Sequence, residues 1–253
     1  MKSLSIASVA VSVLIVSSCA TQSLPERLPV YWGMSSERWA QAPSNVIPQA
    51  EGQAGLLVIN DTTASQSAPA LSEKAFKGFA HRLQVALGEQ FPLLVVKVLD
   101  SNSVSHERGG EQFVHVAQQE GLDYLLFAVL SSTEREVSDR FPLQGTQQGV
   151  GARGGLLVGV RAENYALVEL AFVDGKTGLP VVHANGSAWS VLERLNVPLA
   201  SNVYPVVRRD LTQPPIYPTE ETAYDTLRVV SANDAMKQAL MHFQTEWGKD
   251  SSP

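Results

Sequence analysis

Gly55-Leu56-Leu57-Val58-Ile59-Asn60-Asp61 is the stretch that decides the fold. A short apolar run that ends in Asn-Asp suits a fully buried strand. The next segment has helical spacing. Ser72 offers an N-cap, and Phe76, Phe79, Ala80, Leu83 and Leu87 recur on one face up to Gly88. Pro92 opens a second apolar run, Leu93 to Leu99. Glu111 to Gln119 reads as a second helix with Gly121 as its C′ residue, and Tyr124 to Leu130 as a third strand. Two strand–helix–strand steps in succession predict parallel neighbours joined by right-handed crossovers.

The pattern then changes. Residues 134–162 are polar and rich in glycine, and read as a loop. Tyr165 to Val173 and Leu179 to Trp189 are strand-like runs on either side of Asp174-Gly175-Lys176-Thr177-Gly178, which predicts a β-hairpin. Five prolines between 194 and 219 predict a long surface excursion. Ser231 to Trp247 closes the chain as an amphipathic helix, with Ala235, Met236, Ala239, Leu240, Phe243 and Trp247 on its apolar face. The expected architecture is α/β with an α+β tendency. It has a mixed sheet of about five strands, ordered β-α-β-α-β and then a hairpin, with helices packed on the sheet.

Ahead of this domain, expected over residues 55–253, lies a tether and lead-in segment over residues 20–54. Four prolines there interrupt any long helix. The aromatic cluster Val30-Tyr31-Trp32 with Trp39 reads either as a segment packed back onto the domain or as an exposed partner-binding strip.

The first 19 residues, MKSLSIASVAVSVLIVSSC, carry one charge, Lys2, then an apolar and small-residue run, then Val16-Ser17-Ser18-Cys19. These are the marks of a secretory signal peptide. The run is shorter and richer in serine than the ~20 apolar residues a spanning helix needs. Cys19 is the chain's sole cysteine. Its setting resembles the lipobox of bacterial lipoproteins, which implies lipidation of the Cys19 thiol by a diacylglyceryl group, an added N-acyl chain such as palmitate, and Cys19 as the new N-terminus. More than one acyl chain is what stable anchoring needs. Ala20 rather than aspartate after the cysteine implies, by the same resemblance, the outer membrane of a Gram-negative cell, with the domain facing the periplasm.

Composition narrows the partners. At 44% hydrophobic and 17% charged, the chain can bury a sizeable core. Beyond Cys19 it carries 18 basic against 25 acidic residues and no basic run, which argues against nucleic acid. With Cys19 lipidated no disulfide forms, so the core must hold the fold.

The order of elements, with Leu56 to Asn60 as first strand, Gly121-Leu122-Asp123-Tyr124-Leu125-Leu126 entering the third and Asp174-Gly175-Lys176-Thr177-Gly178 at the hairpin, is similar to the N-terminal domain of the Tol–Pal β-propeller protein. It also resembles the curli-secretion pore lipoprotein and proteobacterial lipoproteins of similar length. The pore lipoprotein builds its barrel from long alternating hairpins. Residues 134–162 depart from that plan, lacking two clean ten-residue alternating segments.

No motif for chemistry stands. Gly149-Val150-Gly151-Ala152-Arg153-Gly154 matches G-x-G-x-x-G, but it precedes a strand-like run instead of opening a helix. Glu111 and His115, spaced i, i+4, lack further ligands, and His106 sits beside Gly109-Gly110. Asn185-Gly186-Ser187 only approaches a nucleophile elbow. Asp123 and Asp174 lie at strand ends, with turn or cap as their default role. The expectation is therefore a protein that is not an enzyme, with no metal or cofactor. It is a membrane-anchored lipoprotein that binds or scaffolds an envelope assembly through envelope proteins and a possible homo-oligomer. Trp32, Arg153 and Tyr204 are its candidate partner-binding residues. The alternatives are a small-molecule or glycan binding module with an aromatic pocket around Tyr31, Trp32 and Trp189, and an envelope hydrolase with carboxylates around His115 or His183.

Overall fold

A computed structural model describes residues 24–40, 52–91, 94–101, 104–105, 108–142, 156–196, 203–209 and 212–250. Cys19, Arg153 and the signal segment lie outside the described residues.

The decisive stretch forms β1 (Gln53–Asp61), buried along most of its length. It pairs in parallel with β2 (Leu94–Leu99) on one side and β3 (Tyr124–Pro142) on the other. The intervening helices are α3 (Glu73–Gln90), capped by Ser72, and α4 (Glu111–Glu120), ended by Gly121 at φ 65°. The hairpin forms from β4 (Leu156–Asp174) and β5 (Pro180–Leu195). At its turn Asp174 Oδ1 accepts from the Lys176 and Thr177 N–H groups at 2.9 and 2.7 Å. With a short last strand, β6 (Val206–Arg208), the result is a mixed six-stranded sheet in the order β2-β1-β3-β4-β5-β6, antiparallel from β3 onward.

Three readings of the sequence need correction. Residues 134–162 are not a loop over their described part. β3 runs on to Pro142 and β4 starts at Leu156, paired in register from Glu134↔Asn164 to Pro142↔Leu156. Along β3, Glu134, Glu136, Ser138 and Arg140 line one face and Arg135 and Asp139 the other, so no apolar half reveals that strand, whereas on β4 Val158, Val160 and Ala162 do alternate with Gly159, Arg161 and Glu163. Gly159 is there because a Cβ would lie 2.3 Å from the Arg194 carbonyl oxygen, a close approach within the sheet. Second, a sixth strand, β6 (Val206–Arg208), arises inside the proline-rich stretch and pairs with Val191–Glu193 of β5. Third, the C-terminal helix α5 (Ala223–Asp250) starts eight residues earlier than its apolar spacing suggests.

The two sheet faces bury separate cores. On one, α3 and α5 cover Leu56, Val58, Leu126, Val168, Leu170 and Phe172, with Phe243 wholly buried among them. At Gly186 the helix lies against the strand backbone: a Cβ would sit 2.2 Å from Ala239 N and 2.4 Å from Ala235 O. On the other face, α4 joins two short helices from the lead-in segment, α1 (Leu28–Tyr31) and α2 (Ser36–Ala40), over Leu57, Phe127, Val129 and Ala171. Trp32 and Trp39 are buried in this second core, at 6% and 2% exposure. The aromatic cluster therefore packs back onto the sheet. Among the described residues, no helix is long and apolar enough to cross a membrane.

Candidate functional site

The second face is closed by polar groups as well as by aromatics. Asp61 ends β1, at the carboxyl edge where open α/β sheets place their ligands. Its Oδ1 accepts from the Thr63 N–H (2.9 Å) and hydroxyl (2.7 Å), while Oδ2 accepts from Arg27 Nε (3.0 Å) and the Tyr31 hydroxyl (3.5 Å). Arg27 Nη2 also donates to Thr63 Oγ1 at 2.6 Å. Burial pushes the Asp61 carboxyl up, but the Thr63 and Arg27 hydrogen bonds together outweigh it and hold the group below its ordinary range. Burial, followed by the Asp61 charge, drives the Tyr31 phenol well above its ordinary value.

Glu169 sits opposite, in the middle of β4, at 1% exposure. Its two carboxylate oxygens accept from the Arg27 N–H (2.7 Å) and the Leu28 N–H (3.1 Å), so it satisfies the entry to α1. Burial nevertheless lifts its pKa to about 7, against the pull of those two donors. Together Asp61 and Glu169 pin residues 27 and 28 to a sheet formed more than thirty positions later.

The same segment walls a cavity of about 210 Å³. Leu24, Pro25 and Arg27 form one side, the loop Ala64–Ser67 a second, and Ser131–Thr133 of β3 the floor. The loop is held over β3 by the Ala68 N–H to the Ser132 carbonyl (2.7 Å) and a bridge between Ser67 and Thr133. Ser131 is 6% exposed, and its hydroxyl has no hydrogen-bond partner among the described residues; the buried Thr133 hydroxyl has none there either. A buried hydroxyl left unpaired costs about 1–3 kcal/mol. A second groove, of about 390 Å³, shares Gln66, Ser67 and Thr133 with the cavity and continues to Glu134 and Arg135.

The residues singled out from the sequence do not converge. Trp32 stacks on Phe113 with ring centroids 4.2 Å apart, and its Nε1 donates to the Gly178 carbonyl at 2.7 Å. Its indole packs the core and offers no open face to a partner. Tyr204 is half-buried beside Phe141, near the far end of β3. Trp32 meets β3 at Phe127, so the two candidates are roughly 45 Å apart along the strand. The aromatic pocket expected from Tyr31, Trp32 and Trp189 does not form. The first two are core residues, whereas Trp189 is 51% exposed and in register with Tyr165, which in turn pairs with Thr133. His183 lies against Trp39, where burial lowers its pKa, and His115 is exposed on α4. Asp123 accepts from the Gln53 N–H at 3.1 Å, and Asp174 holds its turn. Among the described residues no three His, Cys, Asp or Glu side chains converge as a metal site.

Arg27, Asp61, Glu169, Ser131 and Thr133 do not stand out as a group in the sequence. One signal is there: Glu169 is the only charge within Tyr165–Val173. A charge inside an apolar strand needs a partner.

No protein-family model matches the chain, and no curated protein matches it. Among solved structures, a neuraminyllactose-binding hemagglutinin homolog from Helicobacter pylori is similar over 81% of this chain and 92% of its own, at 10% identity and a TM-score of 0.36. A dodecameric PelC variant from Paraburkholderia phytofirmans covers 76% and 95%, at 13% identity and a TM-score of 0.29. A minor lipoprotein from Acinetobacter baumannii covers 76% and 92%, at 11% identity and a TM-score of 0.30. At these scores the backbones superpose too loosely for any property to be carried over to this chain.

Proposed function

We propose that the chain is a lipoprotein anchored through Cys19 to the periplasmic face of the outer membrane, and that it works by binding or scaffolding an envelope assembly and not by catalysis. The observation that carries this reading is how soon after Cys19 the chain meets the sheet. Leu24, five residues after Cys19, already forms a wall of the cavity, and Arg27 and Leu28 are bonded to Asp61 and Glu169. Five residue steps reach at most about 18 Å. Acyl chains on Cys19 would therefore hold this face of the sheet close to the bilayer. A domain meant to range far from its anchor would instead need a long free linker.

Metabolic labelling with a palmitate analogue and membrane flotation test the anchor. The full chain should take up label and float with outer-membrane vesicles, and Cys19→Ser should do neither. An unlabelled wild type, or a Cys19→Ser chain that floats equally, would sink the anchor. Photo-crosslinkers at Arg153 and Tyr204 test the scaffold role in cells. A discrete adduct with an envelope protein or a ladder of self-adducts supports it, and clean monomer at both positions removes it.

A further inference from the structure

We propose that the uncovered edge of β5 takes up an extended peptide segment of a partner protein as an added strand, one in which apolar and acidic side chains alternate. The inference deepens the binding reading above by naming the kind of segment bound. It rests on that reading for the existence of a partner and needs no anchor. Along an antiparallel strand, the N–H and C=O groups of successive residues point in turn to one neighbour and to the other. The contacts around β5 fix that alternation. Val207 exchanges both backbone bonds with Ile216, so Val206 and Arg208 face Glu193 and Val191. The Asn196 N–H donates to the Val158 carbonyl of β4, and the Asn185 carbonyl turns outward to accept from His242 Nδ1 at 2.6 Å. Odd-numbered residues therefore present their backbone to the outer edge. β6 takes up Val191 and Glu193, and His242 occupies the Asn185 carbonyl. Between them, the outward backbone groups of Ser187 and Trp189 have no partner among the described residues.

The rest of the edge fits such a strand. From Val181 to Leu192 the sequence holds no Asp, Glu, Lys, Arg or Pro, the residues by which proteins keep their edges from pairing. The opposite edge of the sheet, β2, does carry one, the exposed Lys97, which pairs with Glu120. Free main-chain groups give affinity in strand addition, and the walls beside them choose the side chains. Here the wall is a groove of about 640 Å³ between the uncovered edge and α5. Trp189 and Met241, both more than half exposed, give it an apolar lining. Arg209 and Lys237 share one carboxylate, Asp234, at 3.3 and 3.0 Å, so one positive charge is left over among the described lining residues. A strand added here turns alternate side chains toward α5, where that charge stands, and toward the face that carries the Trp189 ring. That separation is why acidic and apolar residues alternate in the segment. The stretch from Asn185 to Val191 is about 20 Å long, room for roughly five residues. The surplus charge also disfavours a second copy of this edge as occupant, because two such grooves would bring like charges together.

The test is fluorescence anisotropy of labelled peptides with the full chain in detergent micelles. The probes are fluorescein-labelled Val-Glu-Val-Glu-Val, its counterpart with Lys for Glu, and the acidic peptide N-methylated throughout, which keeps its side chains but has no N–H to donate. The acidic peptide should bind wild type, and the other two should bind about tenfold more weakly. Ser187→Pro removes an outward N–H without touching the β4 ladder, as an edge position allows. It should weaken the acidic peptide about tenfold. Lys237→Glu should weaken it about fivefold and narrow its advantage over the Lys peptide. Should Ser187→Pro fail to fold, Lys237→Glu and the N-methylated peptide decide. No binding of the acidic peptide, equal binding of the N-methylated one, or affinity unchanged in both variants would overturn the assignment. So would concentration-dependent self-association in sedimentation that Ser187→Pro abolishes, which would give the edge to a second copy. Cross-links at Arg153 and Tyr204 report on the scaffold reading by themselves, so a discrete adduct there without peptide binding would reject this edge and keep that reading.

Discussion

On one face of the sheet a 28-residue helix, α5, lies along β4 and β5 and with α3 closes an apolar core. On the other, helices of four and five residues from the N-terminal segment share the closure with α4, over an aromatic cluster beside two buried carboxylates. A long amphipathic helix supplies enough apolar contact to stay in place by packing. A four-residue helix does not, and Asp61 and Glu169 provide the fixed points instead. The difference in kind predicts a difference in response. The α5 face should fail with the whole fold, and the N-terminal face should loosen by itself and with pH.

The largest effect is expected on the apolar face. Phe243 is fully buried against Phe91 and Trp247. Phe243→Ala should cost about 3–5 kcal/mol of unfolding free energy, by lost burial and the cavity left behind. In denaturant titrations the loss should appear equally in fluorescence and far-ultraviolet dichroism, as a single transition. Separate transitions would show that α5 is not part of one cooperative unit with the sheet.

Much of that face is legible in the sequence. Leu56 to Ile59 and Tyr124 to Leu130 are apolar runs because their strands are covered on both faces, and Phe79, Leu83 and Leu87 keep helical spacing because one side of α3 meets the sheet. β3 beyond Leu130 is not legible. Glu134 pairs with Arg228 at 2.7 Å and Glu136 accepts from Tyr224, so α5 covers that strand face with ion pairs and hydroxyls, and no apolar alternation reports it. The cavity is hidden for another reason. Ser131 and Thr133 look like any strand hydroxyls until the loop Ala64–Ser67 and Leu24-Pro25, distant in sequence, come to lie over them.

The next effect sets the N-terminal face apart. Glu169 has a folded pKa of about 7, above its ordinary 4.5. A raised folded value means the group contributes most when protonated, below 4.5, and the contribution is lost as pH rises through 7. The full penalty is at most about 3 kcal/mol, at 1.36 kcal/mol for each pKa unit. Asp61 runs the other way: its depressed value gives stability above its ordinary pKa of 3.8, lost on further acidification. Half-buried His183, with a lowered pKa, also opposes the Glu169 slope, from its ordinary 6.5 downward. Stability against pH should therefore be compared between wild type and Glu169→Gln. The difference should grow steadily from pH 4.5 to 7 and then level off. A flat difference would mean that Glu169 is as well solvated as a surface carboxylate.

A smaller effect probes the link between the N-terminal segment and the hairpin. Trp32→Phe keeps an aromatic ring against Phe113 but removes the donor to the Gly178 carbonyl. The expected cost is about 1–2 kcal/mol. Hydrogen exchange should rise locally over residues 28–40 and leave α5 protected, in contrast to Phe243→Ala. Faster exchange in α5 as well would join the two faces into one unit.

The smallest effect concerns the row that neither face buries. Trp189 is 51% exposed, and Tyr165 beside it on β4 is part-buried, in register with Thr133 on β3. Trp189→Ala removes a ring that contributes little burial, so thermal unfolding should shift by no more than about 0.5 kcal/mol equivalent. Tyr165 is held differently. Burial, then the charge of Glu163, raises its phenol pKa, and its hydroxyl donates to Glu163 at 3.3 Å. Tyr165→Phe therefore removes one part-exposed hydrogen bond and should cost less than about 1 kcal/mol. If both substitutions are as silent as this in stability, the row owes nothing to the fold. A large loss from Trp189→Ala would instead place its indole in packing, and the uncovered part of the sheet would be smaller than its exposure indicates.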